Sequence, residues 1–393
     1  MARVSDARDF VARRLTELLR RHGGLTRTEL ASLAGLPKST ITECVRVLLA
    51  QHRLREQDIP PSPGARGRPA RALYLTEEDL PMIVVVLTHA DRPAQGDVRV
   101  AITGDAGVTR WSATAPSGGQ PLAAATKLVR LGLTQVALSP AEVAQLVLVV
   151  PLPISPGAAA TPYPDLRVID SLADILGVTP HLTLSATLGI PALLANDADM
   201  AALGESRHGE GRGHPDMIFI KAINGLGMGI ISHHELVEPT TRPTGELIHL
   251  RQSGNGRCLC VTPGCWFADI STRPISLTAI VHKTVAAVTT RAGLEQACRA
   301  GDHRVHAALY AVGRHIGAAI EQFWMISGAP LIILENDLGA AFLPVSQGMT
   351  SILRASVPAL GLPTPQITPG TLGPLAEIAG GIEHAYRSRP APR

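Results

Sequence analysis

Residues 26–51, TRTELASLAGLPKSTITECVRVLLAQ, decide the fold of the N-terminal part of the chain. Thr26 and Glu29 fit a capping box, with threonine at the N-cap and glutamate at N3, which predicts a short helix of two turns. Gly35 ends that helix, and the next helix is predicted to run from about Lys38 to the end of the stretch. Two helices joined by a glycine-containing turn are typical of a helix-turn-helix.

The sequence on either side of this stretch completes the pattern of a winged helix. Residues 8–22 place apolar side chains on one helical face and arginines on the opposite face, which predicts a preceding helix. Residues 53–56 and 72–75 are predicted to form two strands around a loop rich in proline, glycine and arginine. We therefore expect an α+β winged helix domain over residues 1–76.

Charge is distributed unevenly along the chain, although the net charge is only +3. Residues 1–75 carry 14 Lys and Arg against 7 Asp and Glu, whereas the remaining residues carry 22 against 26. A basic N-terminal segment followed by a mildly acidic body is typical of a nucleic-acid-binding head attached to a separate core.

Length and composition exclude several classes of protein. The 393 residues are 45% apolar, which argues against wholesale disorder. The longest apolar stretch, residues 146–154, contains two prolines and is far shorter than the ~20 residues that span a bilayer. The first residues carry charges without an apolar run, so no secretory signal is expected, and five cysteines argue against a disulfide framework. We expect a cytoplasmic protein with no membrane association.

The pattern of strands and helices changes after residue 80 and then recurs in a second half. The first half is predicted to contain strands at 82–87, 98–103 and 109–114, a helix over about 119–137 and a buried strand at 146–150. The second half is predicted to contain strands at 217–223 and 227–232, helices over about 279–299 and 304–327, and a buried strand at 331–334. This order predicts an α/β actin-like ATPase fold over residues 77–393, with lobes at about 81–200 and 201–380.

The densest cluster of metal-binding residue types lies within residues 245–271. Three thiols and one imidazole complete a tetrahedral shell suited to Zn²⁺: His249, Cys258, Cys260 and Cys265. All four positions are filled by protein, so the predicted zinc is structural rather than catalytic. The alternative is a loop with reduced, free cysteines.

Two further motifs leave alternatives open. In ANDADMAALGE, residues 195–205, Asp197 is placed either to act as a general base toward a sugar hydroxyl or to cap an alanine-rich helix. In residues 225–229, GLGMG, alternating glycines predict either an approach of backbone amides to phosphate or a tight hairpin.

Four segments together resemble one family: Gly67-Arg68-Pro69 at the close of the winged helix, NDA-x-x-AALGE, GE-x-x-H and CxC-x₄-C. The chain resembles the ROK family (repressor, open reading frame, kinase) from residue 8 to about 386, and within it the transcriptional-regulator branch that includes xylose and N-acetylglucosamine repressors. The resemblance implies that a sugar is bound by Asn196, Asp197, Glu246 and His249, and that Asp197 corresponds to the base of the kinase members.

Three loops that bind phosphate in the kinase members depart from the family pattern. THADRPAQGD at 88–97 replaces an Asp-x-Gly-Gly-Thr turn, Ile223-Asn224 replaces the start of Gly-Thr-Gly-x-Gly, and Glu335-Asn336 replaces a Gly-Gly pair. Phosphoryl transfer depends on positioning and clamping the phosphates, so we predict that Asp197 is a degenerate base and that the chain is not an enzyme. An active sugar kinase remains the less favoured alternative.

The sugar side also departs from the family pattern, because Ile248 replaces a glycine and Phe267 replaces a sugar-binding glutamate. Two kinds of regulator are therefore compatible with the sequence. One is a repressor that responds to a sugar or sugar-derived ligand, and the other responds to a different ligand or to none.

The helix that begins near Lys38 is expected to lie in the major groove of double-stranded DNA. Base-edge contacts are predicted for its first turn and a backbone contact for a residue one turn later: Lys38, Ser39, Thr40, Thr42 and Arg46. Helix capping is the equal alternative for Ser39 and Thr40.

Three wing arginines, Arg66, Arg68 and Arg71, suit a narrow A·T-rich minor groove, the alternative being a solvated basic loop. A single winged helix offers a small interface, so we expect a homodimer or homotetramer on a palindromic operator.

Overall fold

The computed structural model describes parts of residues 11–22 and then residues 24–50, 54–58, 71–75, 81–88, 96–103, 108–155, 161–162, 176–223, 226–238, 245, 276–360 and 363–388. The chain divides into two compact units. The first comprises residues 1–80, 104–108 and 386–393, and the second comprises residues 81–103 and 109–385.

The first unit contains the two helices and two strands that the sequence predicts after residue 24, together with one further strand. In chain order they are β1 (Leu25–Thr26), α1 (Arg27–Ala34), α2 (Lys38–Ala50), β2 (Leu54–Asp58) and β3 (Arg71–Leu75). The strands form an antiparallel sheet with β3 between β1 and β2. Strand β1 was not predicted, because two residues are too few to display an alternation of apolar and polar side chains.

The predicted capping box of α1 is confirmed. The Glu29 amide donates to Oγ1 of Thr26 at 3.3 Å, and the Thr26 amide donates to Oε2 of Glu29 at 2.7 Å. Gly35 ends the helix in the left-handed conformation, with φ of 66°, which a glycine adopts without a steric penalty. The inward face of α2, formed by Ile41, Val45 and Leu48, joins a common apolar core with the preceding helical residues and the sheet.

The second unit begins with a five-stranded sheet whose order is β10-β7-β4-β5-β6. Its elements are β4 (Met82–Leu87), β5 (Asp97–Thr103), β6 (Thr109–Pro116), α3 (Pro121–Gln135), β7 (Gln145–Val150), α4 (Pro180–Leu188) and β10 (Ala192–Asn196). Strands β4, β5 and β6 are antiparallel neighbours, whereas β7 and β10 run parallel to β4. A separate pair, β8 (Ile154–Ser155) and β9 (Thr161–Pro162), lies between β7 and α4 in the chain.

A second five-stranded sheet repeats this arrangement, with the order β13-β12-β11-β14-β15. Its elements are α5 (Asp197–His208), β11 (Met217–Lys221), β12 (Gly227–Ser232), β13 (Glu235–Leu236), α6 (Leu277–Thr284), α7 (Arg291–Arg299), α8 (His303–Ser327), β14 (Leu331–Leu334), α9 (Phe342–Leu360), β15 (Gln366–Pro369) and α10 (Ala376–Ser388). Three antiparallel strands are again followed by two parallel ones. Strands β11, β12 and β14 correspond to the predicted strands, whereas β13 and β15 were not predicted.

The prediction of one continuous helix over residues 279–299 is wrong. The structure has two helices there, α6 and α7, separated by residues 285–290. Thr290 begins α7 by accepting a hydrogen bond from the Gly293 amide at 3.1 Å, so the chain restarts with a new N-cap. The apolar spacing continues through the break because Val285 and Val288 are both buried, and that spacing conceals the interruption in the sequence.

Helices α5 and α10 pack with their backbones in direct contact. A Cβ atom on Gly204 would lie 2.1 Å from the Ala376 carbonyl oxygen, and one on Gly380 would lie 1.8 Å from that of Met200. Gly229 of β12 meets the same α5 helix, because a Cβ there would lie 2.4 Å from Cβ of Ala202. In the described part of the GLGMG motif, glycine therefore serves a hairpin strand and its packing on α5. No described helix combines the length and apolar character needed to cross a membrane.

Candidate ligand-binding cleft

The start of α5 places Asp197 at a cavity in the second unit, and Asn196 precedes it at the end of β10. Asn196 is the N-cap of α5, because its Oδ1 accepts from the amides of Ala198 and Asp199 at 2.9 and 3.1 Å. Its Nδ2 donates to the Leu152 carbonyl at 3.0 Å. The interpretation of Asp197 as the helix cap is therefore wrong, since Asn196 has that role and leaves Asp197 free for other contacts.

Asp197 is held by an ion pair with Lys221, the last residue of β11. Nζ of Lys221 lies 2.7 Å from Oδ2 of Asp197 and also 2.7 Å from Oε1 of Glu377 on α10. Both carboxylates are buried, and the lysine side chain is 19% exposed. Burial opposes the charged form of Lys221, but attraction to Asp197, Glu377 and Glu335 outweighs it and raises the pKa of the ammonium group. Lys221 is therefore a permanent cation.

Glu335 follows β14 directly and turns its buried carboxyl group toward the neighbouring strand. One oxygen, Oε1, accepts hydrogen bonds from the amides of Ala222 and Ile223, just beyond the end of β11. Burial raises the pKa of Glu335 to about 7, against the lowering effect of Lys221 and of the two amide donors. The repulsion of Glu377 acts in the same direction as burial.

Arg99 of β5 adds a second cation to this cluster. Its guanidinium donates to the Pro374 carbonyl at 3.2 Å and lies 3.9 Å from Oε2 of Glu377. The cavity that these groups line has a volume of about 40 Å³. Such a volume holds a few water molecules, whereas pockets for small ligands usually measure ~300 Å³ or more. The described residues alone therefore do not enclose a cavity of hexose size.

Glu205, the last residue of the ANDADMAALGE motif, holds two backbone segments in place. It is fully buried near the C-terminal end of α5. Its carboxylate accepts from the amide of Glu210 at 2.9 Å and from that of Leu372 at 2.8 Å. The side chain thereby fixes the turn after α5 and the segment that precedes α10.

Residues 141–359, more than half of the chain, match the ROK family. The chain belongs to the ROK family. Relatives include the transcriptional repressor Mlc of Escherichia coli, 23% identical over 81% of this chain and 79% of that protein. A glucokinase of Streptomyces coelicolor is 38% identical over 21% of this chain, and the xylose repressor of Bacillus subtilis is 31% identical over 20%. Those two matches span only 26% of the glucokinase and 20% of the xylose repressor.

Solved ROK structures share the fold. A ROK family transcriptional regulator, a homologue of E. coli Mlc, aligns with a TM-score of 0.71 at 18% identity and covers 97% of both chains. The ROK glucokinase of Streptomyces griseus, in complex with glucose and AMPPNP, aligns with a TM-score of 0.60 at 18% identity. That alignment covers 78% of this chain and 100% of the kinase. The second unit accordingly has the actin-like kinase fold of ROK proteins.

Asn196 and Asp197, two of the predicted ligand-binding residues, are adjacent at the end of β10 and the start of α5, and Asp197 lines the cavity. The other two, Glu246 and His249, lie outside the described residues. So do the remaining predicted zinc ligands: Cys258, Cys260 and Cys265. The zinc site therefore stays a prediction from the sequence.

The predicted DNA-contacting residues of α2 lie along its outer face. Lys38, Ser39, Thr42 and Arg46 are exposed, and Thr40 is half-buried. The Thr42 hydroxyl donates to the Lys38 carbonyl at 2.8 Å, and the Arg46 guanidinium pairs with Glu43 at 2.7 Å.

Of the three predicted wing arginines, Arg71 is described and Arg66 and Arg68 lie outside the described residues. Arg71 is an exposed residue of β3 that pairs with Glu56 and Asp58, each at 3.1 Å. The pair with Asp58 is exposed, and exposed pairs of this kind contribute ~1 kcal/mol or less.

The sequence did not identify three of the charged residues in the cavity: Arg99, Lys221 and Glu377. A signal exists for Lys221, because a lysine ends the otherwise apolar strand MIFIK and the chain has only four lysines. Glu377 lies 156 positions from Lys221, and only the tertiary fold brings the two side chains together.

Proposed function

We propose that this ROK protein is a DNA-binding transcriptional repressor whose actin-like unit binds a sugar or sugar-derived ligand without phosphorylating it. The observation that carries the proposal is the difference in aligned length. The Mlc-homologue regulator aligns with 97% of the chain, whereas the complete ROK glucokinase aligns with 78%. The additional aligned length includes the N-terminal unit, which supports a regulator over a kinase.

The N-terminal unit, which we assign to residues 1–76, is proposed to be a winged helix. Support comes from the pair α1 and α2, the three-stranded antiparallel sheet, and the exposed polar and basic face of α2. In this arrangement α2 enters the major groove and Lys38 in its first turn reaches base edges or phosphates. The loop between β2 and β3, with Arg66 and Arg68, enters the minor groove. A homodimer or homotetramer then binds a palindromic operator.

The absence of kinase activity is proposed from the contacts of Asp197. A general base must be within reach of a hydroxyl proton and able to accept it. Here one oxygen of Asp197 binds the permanent cation Lys221, and the other accepts from the Ala198 amide at 2.8 Å. Each oxygen keeps a further lone pair that can accept a hydrogen bond from a ligand hydroxyl, whereas taking up the proton would weaken the ion pair with Lys221. These contacts support a role in holding a ligand hydroxyl over a role in catalysis.

A structural zinc ion is proposed for the loop at residues 245–271. Support comes from the donor set, because three thiolates and one imidazole suit Zn²⁺ and leave no open coordination position. Since His249 is also a predicted sugar ligand, the ion would fix the orientation of its ring and hence the ligand site.

Fluorescence anisotropy with labelled DNA from the chain's own upstream region tests the proposal. We expect tight binding that weakens steeply with salt and is released by one member of a sugar panel. Binding that no neutral or amino sugar alters favours the alternative regulator with another ligand or none. Affinity no better than for random DNA contradicts the assignment to that promoter.

A matched pair of variants makes the test specific to α2. Lys38→Ala is expected to weaken binding and to reduce the slope of affinity against salt by about one ion, the value for one phosphate contact. Lys127→Ala, an exposed lysine of α3 in the other unit, should leave both quantities unchanged. An ATP-dependent phosphorylation assay with the same sugars should show no product, and turnover there would favour a bifunctional kinase.

A further inference from the structure

The ends of β11 and β14 form a small hydrogen-bonding site in the second unit. These strands are parallel neighbours, with Ile220 opposite Leu334, so both strands end at the same edge of the sheet. The Glu335 amide donates to the Ile220 carbonyl at 2.9 Å. In the opposite direction, the amides of Ala222 and Ile223 both donate to the Glu335 carboxyl group. Two adjacent amides that point at one oxygen are the donor arrangement that binds oxyanions.

The surrounding charges give this edge of the sheet a cation as well. The Lys221 side chain lies in the same cavity and attracts the Glu335 carboxylate. The other charged groups that line the cavity are Arg99, Asp197, Glu205, Asp337 and Glu377. Asp197 and Glu377 bind Lys221 directly, Arg99 lies beside Glu377, and Asp337 lies 3.8 Å from Arg291.

We propose that the amides of Ala222 and Ile223, together with Lys221, form an oxyanion site that the chain fills with its own Glu335 carboxyl group. A phosphate oxygen that enters this position would compete with the Glu335 carboxyl group for the same two N–H donors. Glu335 thus acts as an internal competitor that keeps phosphate-bearing molecules out of the cleft. The inference concerns the cleft alone and does not depend on DNA binding.

The burial of Glu335 supports this role. The side chain is 9% exposed, so the two amides would face a nearly dry cavity without it. Buried amides that lose an acceptor cost ~1–3 kcal/mol each, which favours occupation of the site by some oxygen acceptor at all times. Because its pKa lies at about 7, the carboxyl group is an anion above neutral pH and a neutral acceptor below it.

The test compares Glu335→Gly with Glu335→Gln in the full chain, using inorganic pyrophosphate as the probe in calorimetry above neutral pH. Glycine removes the competitor and frees both amides, whereas glutamine keeps an acceptor oxygen at the same place. We expect saturable binding to Glu335→Gly that is about tenfold or more tighter than to wild type or Glu335→Gln. A folded Glu335→Gly that takes up no pyrophosphate overturns the proposal, as does equal binding by wild type.

A second measurement on the wild-type chain avoids any variant that fails to fold. Isotope labelling of alanine and isoleucine allows the Ala222 and Ile223 amide resonances to be followed by NMR from about pH 4 to about pH 9. Both amides should shift with one common midpoint as the Glu335 carboxyl group titrates, and the shift should vanish in Glu335→Gln. Amide resonances that stay constant over that range would mean that the carboxyl group does not occupy the site.

Discussion

Nζ of Lys221 lies 2.7 Å from Oδ2 of Asp197, and the same ammonium group also lies 2.7 Å from Oε1 of Glu377. Removing the lysine would leave Asp197 and Glu377 buried without their cation. We expect Lys221→Met to lower the free energy of unfolding by about 3 kcal/mol, the usual cost of breaking a buried pair. The difference should shrink in acid, because protonated carboxyl groups need no cation.

Tryptophan fluorescence during urea unfolding measures this effect selectively, since all three tryptophans, Trp111, Trp266 and Trp324, lie in the second unit. Lys127→Met, at an exposed position of α3, is the control and should change stability by less than about 0.5 kcal/mol. A Lys221→Met protein as stable as wild type would show that the pairs contribute nothing.

Replacement of Glu335 by glutamine should change the pH dependence of stability. The native carboxyl group keeps its proton up to about pH 7, whereas the unfolded one loses it near its ordinary pKa of 4.5. The native state therefore binds more protons in this window, and wild-type stability falls as pH rises through it. Relative to wild type, Glu335→Gln should gain stability on the order of 3 kcal/mol between acid and pH 8.

Glu142→Gln provides a control of opposite sign for that titration. Hydrogen bonds from Ser139 lower the pKa of this exposed carboxyl group, so its contribution is present above the ordinary pKa and is lost in acid. Relative to wild type, the urea midpoint should therefore rise with pH for Glu335→Gln and fall with pH for Glu142→Gln. Parallel pH profiles for wild type and Glu335→Gln would contradict the raised pKa of Glu335.

Loss of the capping box should weaken the N-terminal unit alone. Thr26→Ala removes the acceptor for the Glu29 amide and should cost about 1 kcal/mol of local stability. This unit contains no tryptophan, so hydrogen exchange of the α1 amides in the full chain is the appropriate measurement. Ser32→Ala, at an exposed position within α1, should not accelerate exchange, and the tryptophan transition should be unchanged in both variants.

The proposed zinc ion is tested by elemental analysis. Cys260→Ser should lower the metal content below one zinc per chain and reduce thermal stability, because a tetrahedral thiolate site contributes directly to folding. Cys44→Ser, a half-buried thiol of α2, is the control and should retain the wild-type metal content. Unchanged metal content in Cys260→Ser would contradict the assignment.

The role of Asp197 in ligand response is separable from DNA binding. Asp197→Ala should abolish the release of DNA by the effector sugar while leaving DNA affinity in its absence unchanged. The physical reason is that Asp197 lines the cavity of the second unit, whereas the basic face of α2 belongs to the first. Anisotropy titrations with and without sugar measure both quantities, and loss of both would indicate a structural role for Asp197.

Local sequence patterns predicted a helix or strand well where residues within that element determine its ends. Strand β4 has the predicted bounds, because its six residues are all apolar and all buried. The capping box of α1 was likewise visible, since both partners lie three residues apart. The break between α6 and α7 was not visible, because buried valines continue the helical spacing through it.

The cleft was predictable only in part, because most of its contacts join residues that are distant in the sequence. Asn196 and Asp197 adjoin each other in a recognisable motif. The partners of Asp197 come from β11 and α10, and the effect of Glu335 depends on which strand lies next to β14. The sequence showed that Glu335 replaces a glycine of the family pattern. Its hydrogen bonds from two amides depend on the neighbouring strand and could not be read from the sequence.

The glycines at the crossing of α5 and α10 make these helices one mechanical piece. Packed helices slide past each other when the side chains between them change rotamer. At Gly204 and Gly380 the two backbones are in direct contact, so no side chains lie between them to adjust. Asp197 begins α5 and Glu377 lies in the first turn of α10, so the gap between their carboxylates is fixed by this crossing. A ligand at this cavity therefore meets Asp197 and Glu377 on one rigid frame rather than on two parts that move independently.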